Sequence, residues 1–165
     1  MSPTDDAPRE VSEPLKLDTL QRDVLLPQID AFLEATQDPE ALAVYSRLKE
    51  SVQRMEVPSE LHARLGAILE VALTSGRVRR LFGAGAELSL AALFQKTPRG
   101  SEIAQSIRAL NAALEKIKGQ SLEEASTALR APGAYALTLK TSGWQLVIRF
   151  EQSGVRVESM EVNLG

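Results

Sequence analysis

Apolar and polar positions alternate most regularly between Ser101 and Gly119. Apolar residues recur there at steps of four, three, four and three, the spacing that places side chains on one face of an α-helix. Ser101 is a suitable N-cap, Lys116 complements the C-terminal end of the helix dipole, and Gly119 is a suitable terminator. The pattern predicts a central amphipathic helix whose apolar stripe packs on another element. The stripe consists of Ile103, Ile107, Leu110, Leu114 and Ile117.

Shorter helical patterns precede this segment. Asp18, followed by Gln21, has the spacing of a capping box and opens the first helix. Pro27 interrupts the apolar face of that helix, so we expect a kink or two short helices. Further helices are expected after the N-cap sequence 38–40, after 58–60, and over 87–95. Together these patterns predict an N-terminal helical array.

After a predicted short helix over 121–130, opened by the capping-box spacing of Ser121 and Glu124, the period of the pattern changes to two. Three alternating runs follow, separated by Ser142-Gly143 and Ser153-Gly154, and they predict a three-stranded antiparallel β-meander. If both Ser-Gly pairs are two-residue hairpin loops, the register is determined. The expected pairs are Leu139 with Leu146, Leu137 with Ile148, Tyr135 with Phe150, Phe150 with Val157, Arg149 with Glu158, and Glu151 with Arg156.

The central helix is expected to cover the apolar face that carries Leu137, Leu139, Leu146, Ile148 and Phe150. The third strand breaks the pattern, since the same register places its last apolar residues on the polar face. One interpretation is a β-bulge near 158–160 that restores the pattern. The other is an outward apolar patch that binds a partner. That candidate partner surface consists of Ala136, Val147, Met160 and Val162.

Composition is ordinary for a globular protein, with 165 residues of which 44% are hydrophobic and 25% charged. We predict a disordered leader over 1–16, which is rich in proline and acidic residues, and a single α+β domain over 17–165. Residues 17–100 form its helical part, and residues 101–165 form the central helix and the meander. No signal peptide or membrane-spanning run is recognisable, and the predicted location is cytoplasmic.

Candidate chemistry is sparse. The chain has no cysteine and one histidine, His62, so the usual zinc ligand sets cannot form. No nucleophile elbow, phosphate-binding glycine loop or dinucleotide fingerprint is present. We therefore predict no catalytic residue, no metal and no cofactor, and an enzyme is the least favoured class of function.

A basic cluster is the main alternative to an apolar interface. Between residues 76 and 100, five cations are opposed only by Glu87, and two glycine-containing loops lead there into helix N-termini. This candidate anion-binding set consists of Arg77, Arg79, Arg80, Lys96 and Arg99. A net charge of −3 and a pI near 5.3 disfavour general binding of nucleic acid.

The function favoured by the sequence is a non-enzymatic protein-protein interaction or regulatory module, with a second copy of the chain among its candidate partners. It would act through the outer face and edge of the C-terminal sheet, because an exposed strand edge can pair with another chain. The alternative is an anion- or nucleic-acid-binding protein that uses the basic loops around 77–80 and 96–99.

Overall fold

The computed structural model describes residues 12–163 and confirms the α+β class. Six α-helices are followed by a four-stranded antiparallel sheet, with a two-stranded sheet near the start of the described chain. The elements are β1 (Leu15–Lys16), α1 (Thr19–Ala35), α2 (Pro39–Gln53), β2 (Glu56–Val57), a 3₁₀ turn (Ser59–Leu61), α3 (His62–Thr74), α4 (Arg77–Phe82), α5 (Ala84–Phe94), α6 (Pro98–Ile117), β3 (Leu122–Ala131), β4 (Ala134–Thr141), β5 (Trp144–Glu151) and β6 (Gly154–Val162).

The chain divides between Arg99 and Gly100 into two compact units, close to the expected boundary between the helical part and the β part. That the units form one domain stays a prediction. Most of the predicted leader, residues 1–11, lies outside the described residues. The last two residues of the predicted leader, Leu15 and Lys16, form β1, which pairs with β2 beside the buried Leu17.

Helix α1 begins with the predicted capping box. The Asp18 carboxylate accepts a hydrogen bond from the Gln21 backbone at 2.8 Å, and the Gln21 side chain accepts one from the Asp18 backbone at 3.0 Å. The expected kink or break at Pro27 does not divide the helix, which runs as one element to Ala35. Pro27 and Asp23, whose carbonyl loses its helical donor, both face solvent, so water can satisfy the freed group.

The other helices follow the sequence pattern with shifted starts. Asp38 caps α2, as predicted, and a 3₁₀ turn precedes α3. Helix α5 begins at Ala84, three residues before the expected start. Helix α6 begins at Pro98 rather than at Ser101, because proline is well suited to the first position of a helix, where no N–H donor is needed.

The helical unit has an extended apolar core formed by α1, α2, α3, α4 and α5. Its fully buried side chains are mainly aliphatic, as expected from a chain with 4% aromatic residues. The largest of them are Leu25, Ile29, Leu48, Leu65, Ile68, Leu69, Leu90 and Leu93.

The C-terminal sheet has four strands in the order β3-β4-β5-β6, and not three. The predicted helix over 121–130 is wrong, since this segment forms β3. Pro132 and Gly133 make a two-residue turn, with Gly133 at a φ of +80°. After this turn, β4 runs back antiparallel along β3. Pairing with β4 across this turn therefore outweighs the capping-box spacing of Ser121 and Glu124, which is a weak signal.

The hairpin between β4 and β5 has the predicted register, with Leu139 opposite Leu146, Leu137 opposite Ile148 and Tyr135 opposite Phe150. The predicted register between β5 and β6 is wrong by two residues. The loop is Gln152-Ser153 instead of Ser153-Gly154, so Phe150 faces Val155 and Arg149 faces Arg156. A shift of two residues leaves every side chain on its predicted face, so the apolar face is kept.

A β-bulge at Glu158 restores the pattern at the end of β6. Ile148 faces Val157 but Val147 faces Ser159, so Glu158 is the extra residue. After the bulge, Met160 lies opposite Leu146 on the apolar face. The first of the two interpretations of the third strand is therefore correct.

Helix α6 packs on one face of the sheet, which we call the inner face; the opposite face is the outer face. Its contact residues Leu110, Ala113, Leu114 and Ile117 join a cluster centred on the buried Leu146 and Ile148. The same cluster includes Leu137, Leu139, Val155, Val157 and Met160. Phe150, which was expected under the helix, is 43% exposed, and Ile107 in the first half of the stripe is 41% exposed.

His62 has a structural position at the start of α3. Its side chain is buried, and its Nε2 lies 2.9 Å from the carbonyl oxygen of Val57, the last residue of β2. The ring N–H therefore satisfies a carbonyl group at the point where the chain passes from β2 to α3.

We expect His62→Ala to lower the free energy of unfolding by about 1–3 kcal/mol, because the Val57 carbonyl loses its donor inside the core. His62→Gln, which keeps an N–H donor, should lose less. Urea denaturation followed by circular dichroism measures both effects. Equal stability of the wild type and both variants would contradict this role.

Candidate functional site

The structure does not bring the four residues of the candidate partner surface together. Ala136 and Val147 lie on the outer face but are only 1% and 7% exposed. Met160 packs in the inner-face cluster because of the bulge at Glu158. Val162 lies opposite Trp144, beyond the bulge, and is exposed. The outward apolar patch is therefore not formed.

Ion pairs, instead of apolar side chains, dominate the outer face. Glu158 lies 3.2 Å from Arg130 and 3.8 Å from Arg149, and Glu151 lies 3.0 Å from Arg149 and 3.7 Å from Arg156. The sequence predicted the pairs Arg149–Glu158 and Glu151–Arg156 as direct cross-strand neighbours. Both form as diagonal contacts, which the two-residue shift in register leaves within reach. This face is consequently polar, with three guanidinium groups paired to two carboxylates.

Strand β3 has the most accessible surface in the sheet. All ten of its residues are exposed, although it carries apolar side chains on the inner face. On the inner face, an exposed apolar row begins near the C-terminal end of β3 and crosses β3, β4 and β5. The row consists of Leu129 (66% exposed), Tyr135 (53%) and Phe150 (43%). Helix α6 covers β4, β5 and β6, and among the described residues the inner-face cluster includes none from β3.

The two edges of the sheet differ in regularity. The edge strand β6 is interrupted by the bulge at Glu158, which distorts a row of backbone groups and discourages pairing. In β3 the register shifts occur near the two ends, between Leu122 and Glu124 and between Leu129 and Ala131. The segment 124–129 is therefore a regular, exposed edge.

Sequence reasoning missed this edge because it assigned the segment to a helix. The signal was present in the alternation of Ala125, Thr127 and Leu129 with Glu124 and Ser126, ahead of the turn at Pro132-Gly133. The abundant alanine in this segment, which favours helices, obscured that signal.

The candidate anion-binding residues are dispersed and partly neutralised. Arg79 lies 3.6 Å from Glu87, and Arg99 lies 3.9 Å from Glu70 of α3, an acid outside the stretch counted in the sequence. Arg80 and Lys96 are exposed, on α4 and in the turn after α5. Arg77 lines a cleft of the helical unit with mostly apolar neighbours.

Glu151 at the end of β5 has a perturbed carboxyl group. The Ser153 hydroxyl, hydrogen-bonded to this carboxylate across the tight turn, holds the pKa of Glu151 below its ordinary value. Arg156 and Arg149 lower the pKa further, while partial desolvation opposes them.

We expect Ser153→Ala to raise the pKa of Glu151 toward the ordinary value of a glutamate. Because folding lowers this pKa, ionised Glu151 stabilises the folded state above its unfolded-state pKa. That contribution is lost as the pH falls through the folded-state pKa. Carboxyl-carbon NMR titration measures the change, with Ser142→Ala in the β4–β5 turn as the control. Identical Glu151 titrations in wild type and Ser153→Ala would refute the assignment.

Two further observations concern the described residues, and a third concerns the similarity of the chain to known proteins. No three histidine, cysteine, aspartate or glutamate side chains within residues 12–163 are grouped so as to hold a metal ion. Over the same residues, every helix is too short or too polar to cross a membrane. In comparisons with known proteins, the chain matches no family model, no curated protein and no solved structure.

Proposed function

We propose that the protein is a non-enzymatic interaction module that associates with a second copy of itself through the edge strand β3. The observation that carries the proposal is the regular, fully exposed segment 124–129 at the edge of the sheet. The free edge of a strand presents N–H and C=O groups in a row, and pairing with another strand gives them partners.

The sequence of β3 is complementary to itself in one antiparallel register. Centred on Thr127, this register places Glu124 of one copy opposite Arg130 of the other, twice by symmetry. Arg130 follows the regular segment and lies 3.2 Å from Glu158 of its own copy, so Glu124 of the other copy would be its second carboxylate. Ala125 lies opposite Leu129 on the inner face, and Ser126 lies opposite Ala128 on the outer face. Opposite charges and a large side chain beside a small one are favourable cross-strand pairs.

Adjacent registers lose this complementarity. Centring the pairing on Ser126 places Arg130 opposite Leu122 and Glu123 opposite Leu129, and centring it on Ala128 places Arg130 opposite Ser126. Each of these leaves the charged residues without an opposite charge. The Thr127 register is therefore the one that we propose.

Self-pairing would also reduce the exposed apolar surface of the sheet. Leu129 of one copy would lie beside Ala125 of the other, which is itself opposite Leu139 in the inner-face cluster. The two four-stranded sheets would join into one continuous antiparallel sheet. The exposed row of Leu129, Tyr135 and Phe150 would then extend an inner face that is already apolar.

The alternative, binding of anions or nucleic acid by the basic cluster, has weaker support. Ion pairs with Glu87 and Glu70 occupy Arg79 and Arg99, and the net charge of the chain is −3. Binding of DNA is therefore one outcome of the association experiment that follows.

We expect light scattering after size exclusion to give the mass of a dimer for the wild type, at low and at high salt. Glu124→Arg and Arg130→Glu should each associate roughly tenfold more weakly, because two cross-strand pairs change from attraction to repulsion. An equimolar mixture of the two variants should recover the dimer, since each variant then faces its opposite charge.

Glu161→Arg on β6 is the matched control, because it makes the same change of charge on the other edge strand. Circular dichroism verifies that each variant is folded. A wild type that stays monomeric, or a folded mixture that stays monomeric, would overturn the proposal. A monomer that binds a short DNA duplex only at low salt would replace it with the basic alternative.

A further inference from the structure

An exposed apolar surface lies at the turn between α4 and α5 in the helical unit. Helix α5 carries one charged residue, Glu87, among its eleven, and a helix this apolar is normally buried on all sides. Only one side of it is buried, through Ala86, Leu90 and Leu93, and every residue of α5 that is fully exposed is apolar. Together with the exposed end of α4 these residues form a surface that we call the α4–α5 patch. It consists of Leu81, Phe82, Ala84, Gly85, Leu88 and Ala92.

The α4–α5 patch projects into solvent. Its three large side chains, Leu81, Phe82 and Leu88, are 57%, 40% and 71% exposed. A Cβ atom placed on Gly83 or Gly85 would meet no other part of the described chain within 4 Å. A projecting surface of this kind lacks the groove into which a peptide helix packs, whereas the interface of a lipid bilayer can receive it.

Cations surround the α4–α5 patch. Arg77 and Arg80 lie on α4, Lys96 follows the C-terminal end of α5, and all three side chains are exposed. Glu87 is the one acid in the sequence between residues 76 and 100, and it lies 3.6 Å from Arg79, so this pair adds no net charge. The rim of the patch is therefore positive, although the net charge of the chain is −3. A positive rim around exposed apolar side chains is complementary to a surface of anionic lipids.

We propose that the α4–α5 patch binds the surface of a membrane that contains anionic phospholipids. The three large apolar side chains enter the layer between headgroups and acyl chains, and the three cations contact the lipid phosphates. Helix α5 has eleven residues, so it lies on the bilayer and does not cross it. Nucleic acid attracts the same cations, but its phosphate backbone offers no apolar partner to the two leucines. The proposal is independent of pairing through β3, which belongs to the other unit of the chain.

The test is sedimentation of the full chain with lipid vesicles. One set of vesicles contains equimolar phosphatidylcholine and phosphatidylserine, and the other contains phosphatidylcholine alone. We expect binding to the anionic vesicles that weakens as salt is added, and roughly tenfold weaker binding to the neutral vesicles. A protein that sediments with neither set, or equally with both, would overturn the proposal.

Substitutions at exposed positions separate the apolar and the electrostatic contributions. Leu88→Gln should weaken binding to the anionic vesicles about tenfold, because this side chain no longer enters the apolar layer. Arg80→Gln should weaken it about fivefold, as expected for the loss of one cation near an anionic surface. Val71→Gln and Arg64→Gln make comparable changes at exposed positions of α3 and are the matched controls, which should bind like the wild type.

Two further outcomes would assign the surface differently. If Leu88→Gln and Arg80→Gln, verified as folded by circular dichroism, bind both sets of vesicles like the wild type, the α4–α5 patch is not the binding surface and the proposal is overturned. If Leu88→Gln instead lowers the mass measured by light scattering, the patch is an interface between copies of the chain, which also overturns it.

Discussion

One helix covers only part of the C-terminal sheet, and this limit determines which strand of the sheet stays exposed. The apolar residues of α6 that contact the sheet extend from Leu110 to Ile117, and the inner-face cluster they join contains residues of β4, β5 and β6. The fourth strand lies beyond that cover, so β3 is exposed on both faces and along its edge. An edge strand of this kind is normally protected by bulges, charges or a covering element. In β3 the charges stand at the two ends, with Glu123 and Glu124 at one end and Arg130 at the other, and they are of opposite sign.

On the outer face of the same sheet, ion pairs stand where the sequence predicted an apolar partner surface. Charged side chains occupy this face, where the carboxylates of Glu151 and Glu158 pair with Arg130, Arg149 and Arg156. The alternation of apolar and polar residues shows which face is polar, but it does not show which charges pair. Individual surface ion pairs contribute little to stability. Their effect here concerns recognition, since a face covered by paired charges offers little to an apolar partner.

The helical unit presents a different situation, in which packing leaves one polar group unsatisfied. Gln28, Ala31 and Ala35 of α1 line a cleft, and the amide nitrogen of Gln28 is buried without a hydrogen-bond partner. Native structures tolerate few such groups. The tertiary structure also supplies a partner for one of the basic residues. Glu70 on α3 pairs with Arg99, although Glu70 lies outside the stretch 76–100 over which the charges of the sequence were counted.

Several elements could be predicted from the sequence because their causes are local. The capping box of Asp18 and Gln21, the N-cap of Asp38 and the two-residue loop at Ser142-Gly143 each depend on neighbours within a few positions. The same holds for the stripe of α6, whose spacing alone indicates a helix with one apolar face. The placement of β3, Met160 and Arg99 was not predictable in this way.

The sequence by itself determined the class of the fold, the helical array, the amphipathic helix and the faces of β4 and β5, since these follow from periodicity and short-range hydrogen bonds. Only the tertiary structure decided that 122–131 is a strand, that a bulge at Glu158 turns Met160 inward, and that Gln28 is buried without a partner. Each of these depends on contacts with other elements of the fold. Such contacts can outweigh local propensity, because a strand gains its hydrogen bonds from a neighbour and a buried side chain gains or loses its partners from all sides.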